Sequence, residues 1–263
     1  MKGPAGIMAL VLAETAAGGS GILFLTPLWS EVRRGFFYLT GGIVLVLAMS
    51  SAGAALGAYD AATASKGRAA VTLAVALAGT TFLWLVLVRL RLHAAGRVLG
   101  IATVPLAVVA LFAFARTTDE PLALSFFQLL AGAVFTGAVL DGLLLGHWYL
   151  TDRRLSRAPI NRMVWLLIAS VVLETAAVIW GAIGAPSHPG RAASTLNPLL
   201  TVAGSATWIA IGMVACTGLI AVFIRITLRG SRPTAVQSAT GFFYLAVITA
   251  FTAELAAKVR FLP

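Results

Sequence analysis

The sequence predicts an all-α, polytopic integral membrane protein with eight transmembrane helices, and three observations carry that prediction. Of its 263 residues 60% are hydrophobic and only 11% are charged, with a mean hydropathy of +0.96. Soluble domains carry about 25% charged residues, so a soluble globule is excluded. The apolar residues fall into runs of about 20, the length that crosses a hydrocarbon core. Proline and polar clusters separate those runs.

The spans, in order, are Gly6–Trp29, Gly35–Ala58, Ala69–Val88, Val98–Ala115, Leu122–Leu150, Met163–Gly184, Leu196–Ile226 and Thr234–Val259. Pro27 ends the first, an Asp60–Gly67 polar turn follows the second, and Pro121, Pro159, Pro186 with Pro189, and Pro233 punctuate the rest. Pro105 lies inside the fourth span, where it predicts a kink. Residues 1–5 are too few for a signal n-region with its own apolar segment, so the first run is expected to be retained as a span. The chain reads as one transmembrane domain over residues 1–263, with a candidate pseudo-repeat dividing at 1–116 and 117–263.

Charge sets the expected orientation. Seven of the 19 Lys and Arg residues fall on the side that holds both chain ends, and twelve on the other. The positive-inside rule then places both termini outside the cytoplasm and the Asp152–Arg162 loop within it, in the inner membrane of a prokaryote. The net charge of +10 is concentrated at span ends, which suits contact with anionic membrane lipid. No basic stripe interleaves with exposed aromatics, so nucleic acid is not an expected partner. A single cysteine, Cys216, allows no intrachain disulfide and no thiolate cluster site.

Two short echoes occur. Glu14-Thr15-Ala16-Ala17 recurs as Glu174-Thr175-Ala176-Ala177, and Gly35-Phe36-Phe37-Tyr38-Leu39 recurs as Gly241-Phe242-Phe243-Tyr244-Leu245. Their separations differ, 160 against 206 residues, so they define no repeat of fixed period.

An ionisable side chain at bilayer depth costs about 2.5–3.5 kcal/mol on insertion scales, so each needs a reason. Glu14 and Glu174 sit near the middle of spans one and six. Each shares its helical face with small residues: Ala17, Gly18 and Gly21 in one case, Ala177 and Gly181 in the other. Small residues admit a neighbouring helix, so both carboxyls are expected to point into the bundle. They are either stations on a proton path or neutral, hydrogen-bonded packing groups. Glu254 stands four residues before Lys258, the favourable order for a helix ion pair, and the pair is expected to be structural and close to the outer surface.

Span five ends in Asp141, His147, Trp148 and Tyr149, just before Arg153 and Arg154. Gly142 and Gly146 form a small face for another helix. Asp141 and His147 are about 9 Å apart along the axis, too far to hydrogen-bond but able to line one cavity. An apolar pocket with an imidazole, a phenol and a carboxyl suits a quinone (menaquinone or ubiquinone), whose carbonyls need donors and whose turnover exchanges protons. A haem b between His93 and His147 is the alternative cofactor. For Trp148, Tyr149 and the arginines, a membrane-interface belt is the competing reading. His93, in LRLHAAGR, also reads as an exposed loop residue, and His188 as a solvated one.

Three blocks, LAETAAGGSGILFL in span one, FFQLLAGAVFTGAVLDGLLLGHWYL in span five and FTAELAAKV in the last, resemble the eight-helix (NrfD-like) membrane anchor subunits of dimethyl sulfoxide reductase and polysulfide reductase type complexes. That resemblance implies two packed four-helix bundles without haem, iron–sulfur and other redox subunits as partners, and quinol chemistry. The family commonly has a quinol-site histidine near the end of the second span. Here that region offers only Ser50, Ser51, Tyr59 and Asp60, so no family site residue carries over. The expected function is therefore a quinone-interacting membrane subunit of a respiratory redox complex. The alternatives are a proton-coupled small-molecule transporter and a purely structural subunit.

Overall fold

The computed structural model describes residues 3–59, 64–152, 154–184, 202–230 and 234–261. Asp60, Arg153, His188 and the predicted breaks at Pro186, Pro189 and Pro233 lie outside the described residues. Among the described residues nine α-helices follow one another: α1 (Gly3–Leu25), α2 (Leu28–Glu31), α3 (Arg34–Ala58), α4 (Ala64–Arg89), α5 (His93–Ala115), α6 (Leu122–Thr151), α7 (Ala158–Gly184), α8 (Val202–Arg229) and α9 (Ala235–Lys258). All but the single-turn α2 are long and apolar enough to cross a membrane, which gives the eight expected spans.

The local chemistry explains the boundaries. Pro27 and Pro121 stand immediately before α2 and α6. Pro159 stands, as expected, where the chain passes from the fifth span to the sixth. It lies in the first turn of α7, where a missing N–H is harmless. Pro105 is accommodated inside α5. His93 is the first residue of α5 rather than a loop residue, and it is exposed.

The helices form two four-helix bundles. In the first, α1, α3, α4 and α5 each pack on the next, and α5 closes back on α1. In the second, α6, α7, α8 and α9 do the same, with α9 closing on α6. The changeover falls between Ala115 and Leu122, close to the division suggested by the sequence.

The bundles meet chiefly through α1 and α6. These two helices have 78% of their apolar stretch buried inside the protein, against 28–44% for the other six. Bulky apolar residues such as Leu56, Phe82, Val172 and Ile248 are exposed on the outer helices. So continuous an apolar exterior is what a lipid-facing surface requires.

Small residues set the approach of α1 to α6. A Cβ on Gly18 would stand 1.7 Å from the Ala133 carbonyl oxygen, and one on Gly137 would stand 2.4 Å from the Gly18 carbonyl carbon. Backbone therefore lies on backbone at this crossing. Gly142 and Gly146 present the expected small face, and they present it to α9. Added Cβ atoms there would meet the Phe243 ring at 2.2 Å and the Thr240 hydroxyl at 2.6 Å. At one membrane edge the bundles are tied by charge. Arg162 of α7 holds Glu31 of α2 through two nitrogens at 2.9 and 3.0 Å, and Arg33 reaches Asp152 at 3.1 Å.

Candidate functional site

Four charged or chargeable side chains converge where the bundles touch. On α9, Glu254 and Lys258 are one turn apart, and the Lys258 ammonium donates to Glu254 Oε2 at 2.9 Å. The same nitrogen lies 2.8 Å from Glu14 Oε1 on α1. Glu174, from α7, completes the group. It lies in the field of Glu254, Lys258 and Glu14. All four are enclosed: Glu14 and Glu254 are 0% exposed, Lys258 1% and Glu174 2%. The Phe261 ring lies over the ammonium, with its centroid 5.8 Å away.

Each element has a sequence reason for being there. The i,i+4 spacing puts Glu254 above Lys258. Ala246, Ala250 and Ala253 keep the neighbouring face of α9 small and fully covered. Gly132 lets α6 reach the group, since a Cβ at that position would stand 2.8 Å from both Glu14 Oε1 and Glu254 Oε2. One turn earlier on α6, the Gln128 amide donates to the Ala177 carbonyl of α7 at 3.1 Å. That bond fixes α7, and with it Glu174, beside α6.

The electrostatics follow from counting. One ammonium balances one carboxylate, and a buried uncompensated charge costs several kcal/mol. The group is electrically neutral when two protons are shared among its three carboxyls. Those protons have several places to sit: Glu14 Oε2, Glu174 Oε2 and Glu254 Oε1 have no hydrogen-bonding partner among the described residues. Such a set titrates as a unit, its protons shared among several carboxyl oxygens.

The expectations for Glu14 and Glu174 thus meet in one place. The i,i+4 pair of Glu254 and Lys258 is present in the last turns of α9, and it is buried between helices. The sequence reading missed that this pair joins the two carboxyls, and it missed Gly132. A signal was available: Glu254 and Lys258 follow a run of alanines at helical spacing, the mark of a face pressed on another helix.

The span-five quartet is dispersed. Asp141 is 0% exposed, and neither carboxyl oxygen has a hydrogen-bonding partner among the described residues. It faces Gly19 of α1, where an added Cβ would lie 3.8 Å from Oδ1. His147 is exposed. Trp148 covers Gly35 and sets its ring against Phe36, with centroids 6.4 Å apart. Tyr149 donates its hydroxyl proton to the Ser156 carbonyl, which ties the end of α6 to the turn before α7. These residues therefore do not share one cavity. Asp141 lies nine residues beyond Gly132, about 14 Å along α6, and the close-packed Gly18–Gly137 crossing intervenes. His93 Nε2 accepts from Arg34 Nη2 at 2.8 Å, so as it stands the neutral ring carries its hydrogen on Nδ1 and offers a metal no free lone pair.

An apolar groove of about 320 Å³ runs along α1, α5 and α6, beginning one turn along α1 from Glu14, and none of the four cluster residues lines it. Ala17, Gly18 and Gly21 of α1, Val104 and Ala107 of α5, and Leu130 and Ala133 of α6 line it. Ala17 is one turn from Glu14 and Ala133 is adjacent to Gly132. Leu25 and Val108, at its rim, are exposed on the lipid-facing surface. No protein-family model, curated protein or solved structure matches the chain.

Proposed function

We propose that this chain is a proton-handling membrane subunit of a quinone-linked redox complex, working through Glu14, Glu174, Glu254 and Lys258. The observation that carries the reading is the enclosed acid–ammonium group, one helical turn along α1 from an apolar groove open to the lipid phase. A quinone brings an apolar tail, which needs such a groove, and two carbonyls, which need donors and protons. Ala17, Gly21, Val104 and Ala133 would hold the apolar part. The acid group, one helical turn away, would supply and collect protons, and Lys258 would keep its charge balanced throughout. His147, Trp148 and Tyr149 are then edge residues of the membrane. Asp141 is a further acid on the α1–α6 seam.

On this reading the redox centres sit on partner subunits of iron–sulfur or related type. The positive-inside count supports both termini facing outward from a prokaryotic inner membrane. A proton-coupled transporter would draw on the same acids. However, α1, α7 and α9 run unbroken through Glu14, Glu174 and Glu254, whereas transporter sites are typically built on interrupted helices.

Gly21 gives a clean test because an added Cβ there meets nothing within 4 Å. In lipid nanodiscs the wild-type chain is expected to bind a short-tailed quinone analogue saturably. Gly21→Leu should fill the groove and weaken binding about tenfold or more, a loss of about 1.4 kcal/mol, with an unchanged melting temperature. Glu14→Gln should remove the proton uptake or release that accompanies binding. Absence of saturable binding by the wild type, or wild-type affinity in Gly21→Leu, would refute the proposal.

A further inference from the structure

A second cleft, of about 350 Å³, opens where the α1–α3 link meets the α4–α5 link. Its polar lining is supplied by Trp29, Arg33, Arg34 and His93, and its apolar walls by Phe37 and Val88 among others. The chemistry of that lining is one-sided. Trp29 Nε1 is buried and has no hydrogen-bonding partner among the described residues. Arg34 donates to His93 Nε2, so the neutral imidazole carries its remaining hydrogen on Nδ1 as another donor. Arg33 gives Nε to Asp152, yet its side chain is 76% exposed, with the rest of the fork free to turn toward the cleft. The lining side chains thus offer N–H donors and two positive charges. Two carboxylates are near, and each is engaged by an arginine: Asp152 by Arg33 and Glu31 by Arg162.

A donor-only lining selects an anion with several acceptor oxygens, and the guanidinium fork suits a phosphate in particular. Position decides the source. The cleft sits at the ends of spanning helices, between Arg89, which closes α4, and His93, which opens α5. Leu90 and Leu92 in that link are 61% and 49% exposed, placing apolar side chains beside the arginines. That is the depth at which a phospholipid carries its phosphate, with acyl chains immediately below.

We propose that this cleft is a binding site for the phosphate of an anionic phospholipid. Arg34 and Arg33 carry its charge, the Trp29 indole N–H donates to a phosphate oxygen, and Phe37 and Val88 pack against the start of the chains. A bound lipid would bridge α2, α3, α4 and α5 at the edge where Arg162–Glu31 and Arg33–Asp152 already link the bundles. This site is independent of the acid group and of the quinone reading.

The test is native mass spectrometry of the full chain in detergent, titrated with phosphatidylglycerol or phosphatidylcholine. Both lipids carry the phosphate, but the choline cation of phosphatidylcholine would stand against Arg33 and Arg34, so phosphatidylglycerol is expected to bind about tenfold tighter. Arg34→Gln should erase that preference. Trp29→Phe, which keeps the aromatic bulk and removes only the donor, should weaken phosphatidylglycerol severalfold and serves if Arg34→Gln misfolds. Arg229→Gln, at an exposed arginine on α8, should leave the preference intact. Equal binding of the two lipids, equal loss in Arg34→Gln and Arg229→Gln, or displacement by inorganic phosphate as effective as by added lipid would overturn the assignment.

Discussion

Lys258→Met is expected to be the most damaging single substitution on the polar side of this protein. The Met side chain fills similar volume, so packing against Phe261 survives and the electrostatic change is isolated. Three carboxyls, Glu14, Glu174 and Glu254, would remain enclosed with no cation among them. Removing one partner of a buried ion pair costs about 3–5 kcal/mol, a large part of the 5–15 kcal/mol that keeps a typical domain folded. The expected result is a sharp fall in folded yield and in melting temperature in detergent. A variant that melts with the wild type would mean that the ammonium contributes nothing to holding α1 against α9.

Gly18→Val is expected to act as strongly through shape alone. The Cβ of any residue there would fall 1.7 Å from the Ala133 carbonyl oxygen and 2.5 Å from its carbon. Those are backbone atoms of a helix and cannot rotate away, so α1 and α6 must part. Overpacking costs about 1–3 kcal/mol where side chains can adjust, and this site lies at or beyond the upper end. Since α1 and α6 form the main contact between bundles, separation should also detach Glu14 from Lys258. Gly42→Ala is the matched control, because a Cβ there meets nothing within 4 Å. Thermal melting of both variants checks the point: Gly18→Val should fall far below wild type and Gly42→Ala should stay level or rise slightly.

These two substitutions also mark what the sequence reveals and what it conceals. Span number and order are legible because lipid demands long apolar helices, and the runs between Pro27, Pro121 and the polar turns have that length. The inward direction of Glu14 and Glu174 is legible too, since each has small residues at i+3 and i+7. Likewise Gly142 and Gly146 announce a helix contact, although not that the partner is α9. What stays hidden is tertiary. The Glu254–Lys258 spacing predicts a pair on any helix; only the rotation of α9 against α1 and α7 turns it into a four-group centre. Gly132 is one of 26 glycines, and nothing local distinguishes it as the one facing two carboxyls.

The end of α6 misleads for a related reason. Asp141, His147, Trp148 and Tyr149 are close in sequence and chemically suggestive, but each residue turns about 100° from the last. Two positions separate exposed His147 from buried Tyr149, and the hydroxyl of Tyr149 is committed to the Ser156 carbonyl. Nearness along a helix therefore gives shared depth without a shared cavity. By contrast, Glu14 and Lys258 stand at opposite ends of the chain and meet at 2.8 Å.

Everything proposed about protons requires that those distant residues respond to one another as a unit. A double-mutant cycle on melting free energy, built from Glu14→Gln, Lys258→Met and the combined variant, measures that response. Residues sharing one ion-pair network show coupling of about 0.5–3 kcal/mol, and here the value should exceed about 1 kcal/mol, with the double variant less damaged than the sum of the singles. Additivity within about 0.5 kcal/mol, the behaviour of sites that do not touch, would contradict the account.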